Sequence, residues 1–505
     1  MVDIYDLYKP LRNKLKEFDL RSILEELWRL QSAANVSGEV AVTDGVGRAR
    51  VVLYVWELHG LCREAVIHAD TSGRGTRVSL QTMISLVGHI RRITKGVSSR
   101  LVESSDDAFR ALHPLMHQQA RWQYERIWDR FYRAHRLFGE GEMRDVVEEV
   151  TGASLSSLLT LGMLSSRNFV TNAKTELTAL GISDDERDSF FQLCGTSLDA
   201  LREAIWDARP YEEGASLDES WAFKWNPIEA TPLIRLDSAR TNEYLCPFAH
   251  LVQRRVSDGL FYDVVRSKHD FANPYGKAFE RYTGDVLAQI FNSSQFLVHG
   301  ERPYIVKGQL RHGPDWIVSD GSANMFIECK TRRMALGAKS YADGAELEKS
   351  LANMAGIIVQ HYKNIDDARA GLSKWERNAL PIYALVLTLD DWYLFARHVV
   401  DRLEELVIER LIAAKLDTGV IDSIPYVVTS IAEFELAAQA IAHFGVERFC
   451  QSRARGKYRH FGLSTFAGEA FPDEPVNRRA LFRGAGDAML SNLSALFEMP
   501  DSKHA

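Results

Sequence analysis

A chain of 505 residues exceeds what one ordinary hydrophobic core supports, so two or three domains are expected. Its 46% hydrophobic and 26% charged residues argue against disorder. A formal charge of −7 excludes a global attraction to polyanions, so any nucleic-acid contact needs local clusters of Lys and Arg.

Cys62, Cys194, Cys246, Cys329 and Cys450 lie far apart with no CxxC spacing, which suggests neither a zinc site nor a disulfide framework. The N-terminus lacks an apolar leader and no stretch reaches about eighteen apolar residues. The expected location is therefore cytoplasmic, with no membrane partner.

In chain order, Ile4, Leu7, Tyr8, Leu11, Leu15 and Phe18 fall on one face of a helix. The same stepping recurs over Ile23–Leu30, Val51–Cys62, Leu80–Ile93 and Ala120–Phe138. Ser183 and Glu186 have capping-box spacing just after Gly181, a residue suited to ending a helix. Residues 1–208 thus read as a mainly helical domain of unassigned role. Gly45-Val-Gly47 and Gly73-Arg-Gly75 lack the Lys-Ser/Thr of a phosphate loop and read as ordinary turns. His89–Lys95 reads as a solvated basic helix face. Residues 209–242, with Pro210, Pro227 and Pro232 among acidic and aromatic residues, read as a linker or boundary.

Residues 243–505 form the second expected domain. Phe279, Val286, Leu287 and Ile290 define a helical face, and strands are expected at Gln295–Val306, Pro314–Ser319 and Asn324–Thr331. A helix over Ala345–Ala370 precedes an apolar strand at Pro381–Leu389, and Ile424–Thr429 reads as another strand. The fold class is an α/β C-terminal domain with a mixed sheet flanked by helices, beside a mainly α-helical N-terminal domain.

The chemistry concentrates in Gly313-Pro314-Asp315-Trp316-Ile317-Val318 and Phe326-Ile327-Glu328-Cys329-Lys330. If Asp320–Ala323 form a hairpin loop, Ser319 pairs with Asn324 and counting outward sets Asp315 opposite Glu328. Such cross-strand Cβ atoms lie roughly 5 Å apart, where two carboxylates repel unless a cation intervenes. A hard divalent metal, Mg²⁺ or Mn²⁺, meets that need. Lys330, two residues beyond Glu328, shares its face. Two acids and an ammonium suit phosphodiester hydrolysis, in which the metal acidifies water and Lys330 orients it or stabilises developing charge. The Cys329 backbone carbonyl is a further candidate ligand.

These residues resemble the PD-(D/E)xK, or restriction-endonuclease-like, nuclease superfamily, with Pro314-Asp315 and Glu328-Cys329-Lys330 matching its signature over roughly residues 275–390. The resemblance implies a restriction-endonuclease-like core, DNA as substrate and a further acid from the preceding helix, which Glu280 in Gly276-Lys277-Ala278-Phe279-Glu280 matches. In some members a glutamine on the following helix helps at the site, for which Gln360, before His361 and Tyr362, is the nearest candidate; the residue itself reads as a helix-surface glutamine. A restriction or phage-defence role is implied by architecture alone. The alternatives are a non-catalytic nucleic-acid-binding or scaffold protein keeping this fold, and a nuclease acting on RNA.

Arg332, Arg333, Lys339 and the cluster Arg453, Arg455, Lys457, Arg459 and His460 supply positive charge for a phosphate backbone, with Tyr458 a stacking surface. Of these, Arg332, Arg333, Arg455 and Lys457 are the expected nucleic-acid contacts. The second cluster also reads as a solvated loop. His299 and His312 flank the strands and read as structural. The N-terminal domain is expected to bind a target, a partner protein or a second copy of the chain.

Overall fold

The computed structural model describes residues 3–43, 50–101, 113–123, 126–165, 169–171, 182–207, 221, 224–237, 243–340, 344–454, 456–459 and 461–485. The chain divides into two compact units, one comprising residues 1–103, 118–271 and 482–505, the other residues 104–117 and 272–481. The division between them falls at 271/272, not within 209–242. The reason is strand pairing: Leu233–Arg235 is bonded to Gly195–Ser197, and Glu243–Leu245 to Phe169–Thr171, so the expected linker itself supplies one strand of a four-stranded sheet of the first unit and leads into another.

That first unit is mainly helical. Helices Ile4–Leu15, Leu20–Ser32, Val55–His68 and Leu80–Leu101 bury Leu11, Ile23, Leu58 and Leu86 in one core. The helical stepping over Val51–Cys62 misleads at its start, because Arg50–Tyr54 is a strand paired with Glu39–Thr43. Its run of Val51, Val52, Leu53 and Tyr54 suits a pleated surface. Ala120–Phe138 is likewise divided, into a short turn at Ala120–Trp122 and a helix at Ile127–Phe138. The Ser183 capping box forms, and Glu186 also accepts from Ser154 and Ser157. Arg91 of the basic patch is bound to Glu57 and the Val52 carbonyl. At Gly73–Gly75, Asp70 accepts the N–H groups of Ser72, Arg74 and Gly75, as a turn does. Gly45–Gly47 lie outside the described residues. No described helix is long and apolar enough to cross a membrane.

The second unit is built on a mixed sheet. Its elements are α1 (Ala272–Ile290), β1 (Leu297–Gly300), β2 (Tyr304–Val306), β3 (Gln309–Arg311), β4 (Trp316–Ser319), β5 (Asn324–Lys330), α2 (Leu336–Ser340), α3 (Ala345–Arg369), β6 (Ile382–Thr388), α4 (Arg397–Ala413), α5 (Val420–Ser423), β7 (Tyr426–Ser430), α6 (Ile431–Phe444), α7 (Val446–Ala454) and α8 (Leu463–Ala470). The sheet order is β7-β6-β5-β4-β1; β1, β4 and β5 are antiparallel neighbours, whereas β5, β6 and β7 run parallel. The segment expected as one strand, Gln295–Val306, breaks at Arg302-Pro303. Its first part joins the large sheet, and its second pairs with β3 as a separate hairpin.

Both faces of the sheet are covered, which is why β5 and β6 are almost wholly buried. Ile317, Phe326, Ala384 and Val386 pack against α3 and α4 through Ile358, Val359, Leu403 and Val407. On the other face α1 lies against β5, and Tyr282 of α1 donates to Glu435 of α6 at 2.6 Å. The fit of α1 depends on Gly284, where a Cβ would stand 2.6 Å from the Trp316 ring.

Candidate functional site

The turn at Asp320–Ala323 sets the register. Asp320 accepts from the N–H groups of Ser322 and Ala323, and Ser319 pairs with Asn324, so Trp316 lies opposite Ile327. Continuing one step sets Asp315 across from Glu328. The Cys329 N–H donates to Asp315 Oδ2 at 2.6 Å, fixing that carboxylate at the end of the strand pair. Pleat alternation then gives Glu328 and Lys330 one face, and Lys330 Nζ donates to Glu328 Oε1 at 2.6 Å. Asp315, Glu328 and Lys330 thus form one cluster where β5 ends, beside Thr388 at the end of β6.

The three groups shift one another's proton affinities. Burial and then the Glu328 charge raise the Asp315 carboxyl to about 8, against the opposing pull of Lys330 and the Cys329 N–H. Burial also presses Glu328 upward, but His361 and Lys330 more than offset it and hold that carboxylate well below its usual range. Lys330 resists its own burial because Glu328 and Asp315 stabilise the ammonium, so its pKa is raised. The resting cluster is one ionised acid, one ammonium and one carboxyl that keeps its proton at neutral pH.

Glu280 of α1 is half-buried and lies within the electrostatic reach of the cluster. Burial raises its pKa first, then the nearby Glu301, with Lys330 lowering it and Glu328 raising it. Its own backbone carbonyl accepts from the Trp316 indole at 3.2 Å, which ties this turn of α1 to β4. Among the described residues, no group of three or more His, Cys, Asp or Glu side chains is placed to hold a metal ion.

Three further residues join the cluster. His361 of α3 is 1% exposed; its Nε2 bonds the Phe326 carbonyl at 3.1 Å, and its Nδ1 lies 3.5 Å from Glu328 Oε2. Since a carbonyl only accepts, Nε2 carries a proton. Asn364, one turn on, donates to the same Glu328 oxygen at 3.5 Å. Glu301, in the bend after β1, pairs with His312 Nδ1 at 2.8 Å and adds negative charge near Glu280. Gln360 is exposed, as the helix-surface reading has it, and donates to Asn364 at 3.1 Å. His299 is half-buried opposite Ile317, on the α3 side of the sheet.

Of the basic residues, Arg332 is exposed just beyond Lys330, and its carbonyl accepts from the Trp392 indole. Arg333 is half-buried. Lys339 is bound to Asp390. In the later cluster, Arg453 donates to the Phe461 carbonyl and Arg459 to Glu404, so both are tied into the fold rather than held in a solvated loop. Lys457 lies over the Tyr458 ring at 4.8 Å. Arg455 and His460 are outside the described residues. Comparison with protein-family models, curated proteins and solved structures finds no match to this chain.

Proposed function

We propose that the second unit is a metal-dependent nuclease that hydrolyses phosphodiester bonds in DNA at Asp315, Glu328 and Lys330, on a restriction-endonuclease-like core. The observation that carries this reading is the acid pair beside a half-buried ammonium at the end of β5. If both carboxylates were ionised, one lysine would leave a negative charge unmatched; burial and then the Glu328 charge raise the Asp315 pKa accordingly. Oxygen donors and surplus negative charge fit a hard divalent cation. Asp315, Glu328 and the Cys329 carbonyl would hold it, with Glu280 the candidate third acid. When bound, Mg²⁺ or Mn²⁺ supplies charge neutralisation at the phosphate and a more acidic water.

The residues of the chain then have separable tasks. Lys330 keeps its ammonium and stabilises charge developing on the phosphate oxygens. Glu328 stays ionised, aimed by His361 and Asn364 from behind. Asp315 would release its proton to solvent for a cation to bind there. Arg332, exposed just beyond Lys330, would contact the phosphate backbone.

Plasmid cleavage with Mn²⁺, with and without EDTA, tests the proposal. Glu328→Ala and Lys330→Ala should each lower the rate at least 100-fold, the usual scale for losing such a group; two active variants would remove the site assignment. The 2.6 Å pairing of Lys330 with Glu328 favours a second reading, a nucleic-acid-binding or scaffold protein whose site is closed by its own ion pair. Calorimetric titration separates the two, since the scaffold reading requires no Mn²⁺ uptake at millimolar concentration. Hydrolysis of RNA would use the same groups, and matched DNA and RNA substrates decide between them. A restriction or defence role, a homodimer and a partner bound by the helical unit are extensions of this proposal.

A further inference from the structure

The β2–β3 hairpin immediately precedes the site and turns its apolar side outward. Ile305 and Leu310 are cross-strand partners, yet they are 71% and 64% exposed. The neighbouring pair, Tyr304 and Arg311, faces the opposite way and anchors the hairpin: both donate to Asp367 Oδ2 of α3, at 2.8 and 2.7 Å. At the tip, Lys307 and Gly308 both have positive φ, 50° and 77°, the tight turn that matches strand twist. An isolated two-stranded hairpin is marginal in water. This one is held at its base by a shared carboxylate and capped by a compact turn, while its apolar pair covers nothing.

Single exposed apolar residues are ordinary, but an opposed Ile–Leu pair on an anchored arm next to a hydrolytic cluster is a binding surface. Charge indicates the occupant. Between Gly300 and Gly313, Arg311 is bound to Asp367 and Glu301 is paired with His312, which leaves Arg302 and Lys307 as the charge of the arm, in a chain whose overall charge is negative. The hairpin ends at Arg311, four residues before Asp315, so the arm and the acid cluster are neighbours along the chain.

We propose that the β2–β3 hairpin is a DNA-docking arm that enters the major groove of a duplex, with Ile305 and Leu310 against thymine methyl groups and Lys307 and Arg302 against phosphates. This rests on the nuclease reading of Asp315, Glu328 and Lys330, and it selects double-helical DNA over RNA as substrate. The major groove of B-form DNA is about 12 Å wide and admits a two-stranded ribbon, and thymine methyl groups offer apolar contact there. The corresponding groove of A-form RNA is too narrow and deep for side chains to read.

Fluorescence anisotropy of the full chain on a labelled 24-base-pair DNA duplex, in EDTA so that nothing is cut, tests the arm; the matched RNA duplex is the control. Ile305→Ser/Leu310→Ser removes only exposed side chains, and circular dichroism checks that it folds. The expected result is DNA bound more tightly than RNA, with at least tenfold weaker DNA binding in the double variant. Lys307→Ala should lower the salt dependence of binding by about one ion. Wild-type binding to neither duplex, equal binding to both, or a double variant within twofold of wild type would overturn the proposal. So would a change in oligomeric state in the double variant without loss of DNA affinity, which would assign the arm to a second copy of the chain. Binding to DNA in EDTA with no cleavage in Mn²⁺ would instead remove the catalytic reading and leave the arm as a docking element.

Discussion

Asp315 and Glu328 show how two acids of one site acquire opposite behaviour from their surroundings. Asp315 holds a proton that the unfolded chain releases in the ordinary carboxylate range, because burial and Glu328 raise it to about 8. In metal-free protein its contribution is therefore favourable at low pH and declines as pH rises from about 4 towards 8. Glu328 has the opposite sign: held low by His361 and Lys330, it stabilises above the carboxylate range and loses that effect as pH falls below it. Asp315→Asn keeps an acceptor for the Cys329 N–H but removes the charge. In EDTA its melting temperature should exceed that of wild type by a margin that widens between pH 5 and 8, roughly 2–4 °C per kcal/mol of relieved repulsion. A constant margin across that range would show that Asp315 does not titrate there. Because a bound cation must displace the same proton, apparent Mn²⁺ affinity should rise from pH 6 to pH 8, which calorimetry at two or three pH values reads directly.

The residues of this cluster were legible in the sequence wherever local geometry decides them. Period-two alternation fixes Glu328 and Lys330 on one face, and a four-residue turn fixes the strand opposite. His361 and Asn364 were not found, although a signal existed. On α3 the buried stripe runs through Met354, Ile358, His361, Tyr362 and Ile365, so His361 is a polar residue at a core position, whereas Gln360 falls off the stripe. Choosing by residue type rather than by helical phase selects the wrong neighbour. Glu301 carried no local signal, since its approach depends on the bend at Arg302-Pro303 and the distant α1.

At the scale of elements, α1 carries Glu280 to the site through a close approach at one glycine. Gly284→Ala would normally favour a helix, yet here the added methyl meets the Trp316 ring, whose indole is bonded to the Glu280 carbonyl. The substitution should cost about 1–3 kcal/mol, the usual range for overpacking, measured by denaturant unfolding. It should also lower activity by shifting Glu280; a variant as stable and active as wild type would show that α1 seats independently of Trp316. The strands of the large sheet were readable because each has its own apolar run. The β2–β3 hairpin was not, since its exposed Ile305 mimics a core residue and merges with β1 into one apparent strand.

At the scale of the whole molecule, the sequence pointed to two parts, a mainly helical one and a mixed α/β one, and the division was misplaced because proline and acidic residues resemble a linker. Neither unit is one continuous stretch. Residues 104–117 belong with the second unit, where His113 bonds the Ala338 carbonyl at 2.8 Å. A fragment starting at residue 272 therefore lacks part of its own packing. It should melt below a version in which residues 104–117 are fused to its N-terminus, and equal melting temperatures would make that segment dispensable.

The first unit depends on a still later piece of chain. The buried carboxylate of Asp129 accepts the Phe482 N–H, and Phe482 stacks on Tyr132, across 353 residues of sequence. At ordinary translation speeds those residues take on the order of 20–70 s to emerge. Until then the Ile127–Phe138 helix lacks its closing contact, and by the end of that interval the residues of the Asp315–Glu328–Lys330 cluster have already been synthesised. The ribosome thus finishes the proposed blade before its holder, and the nascent helical part must be sheltered or remain loosely packed until Phe482 arrives.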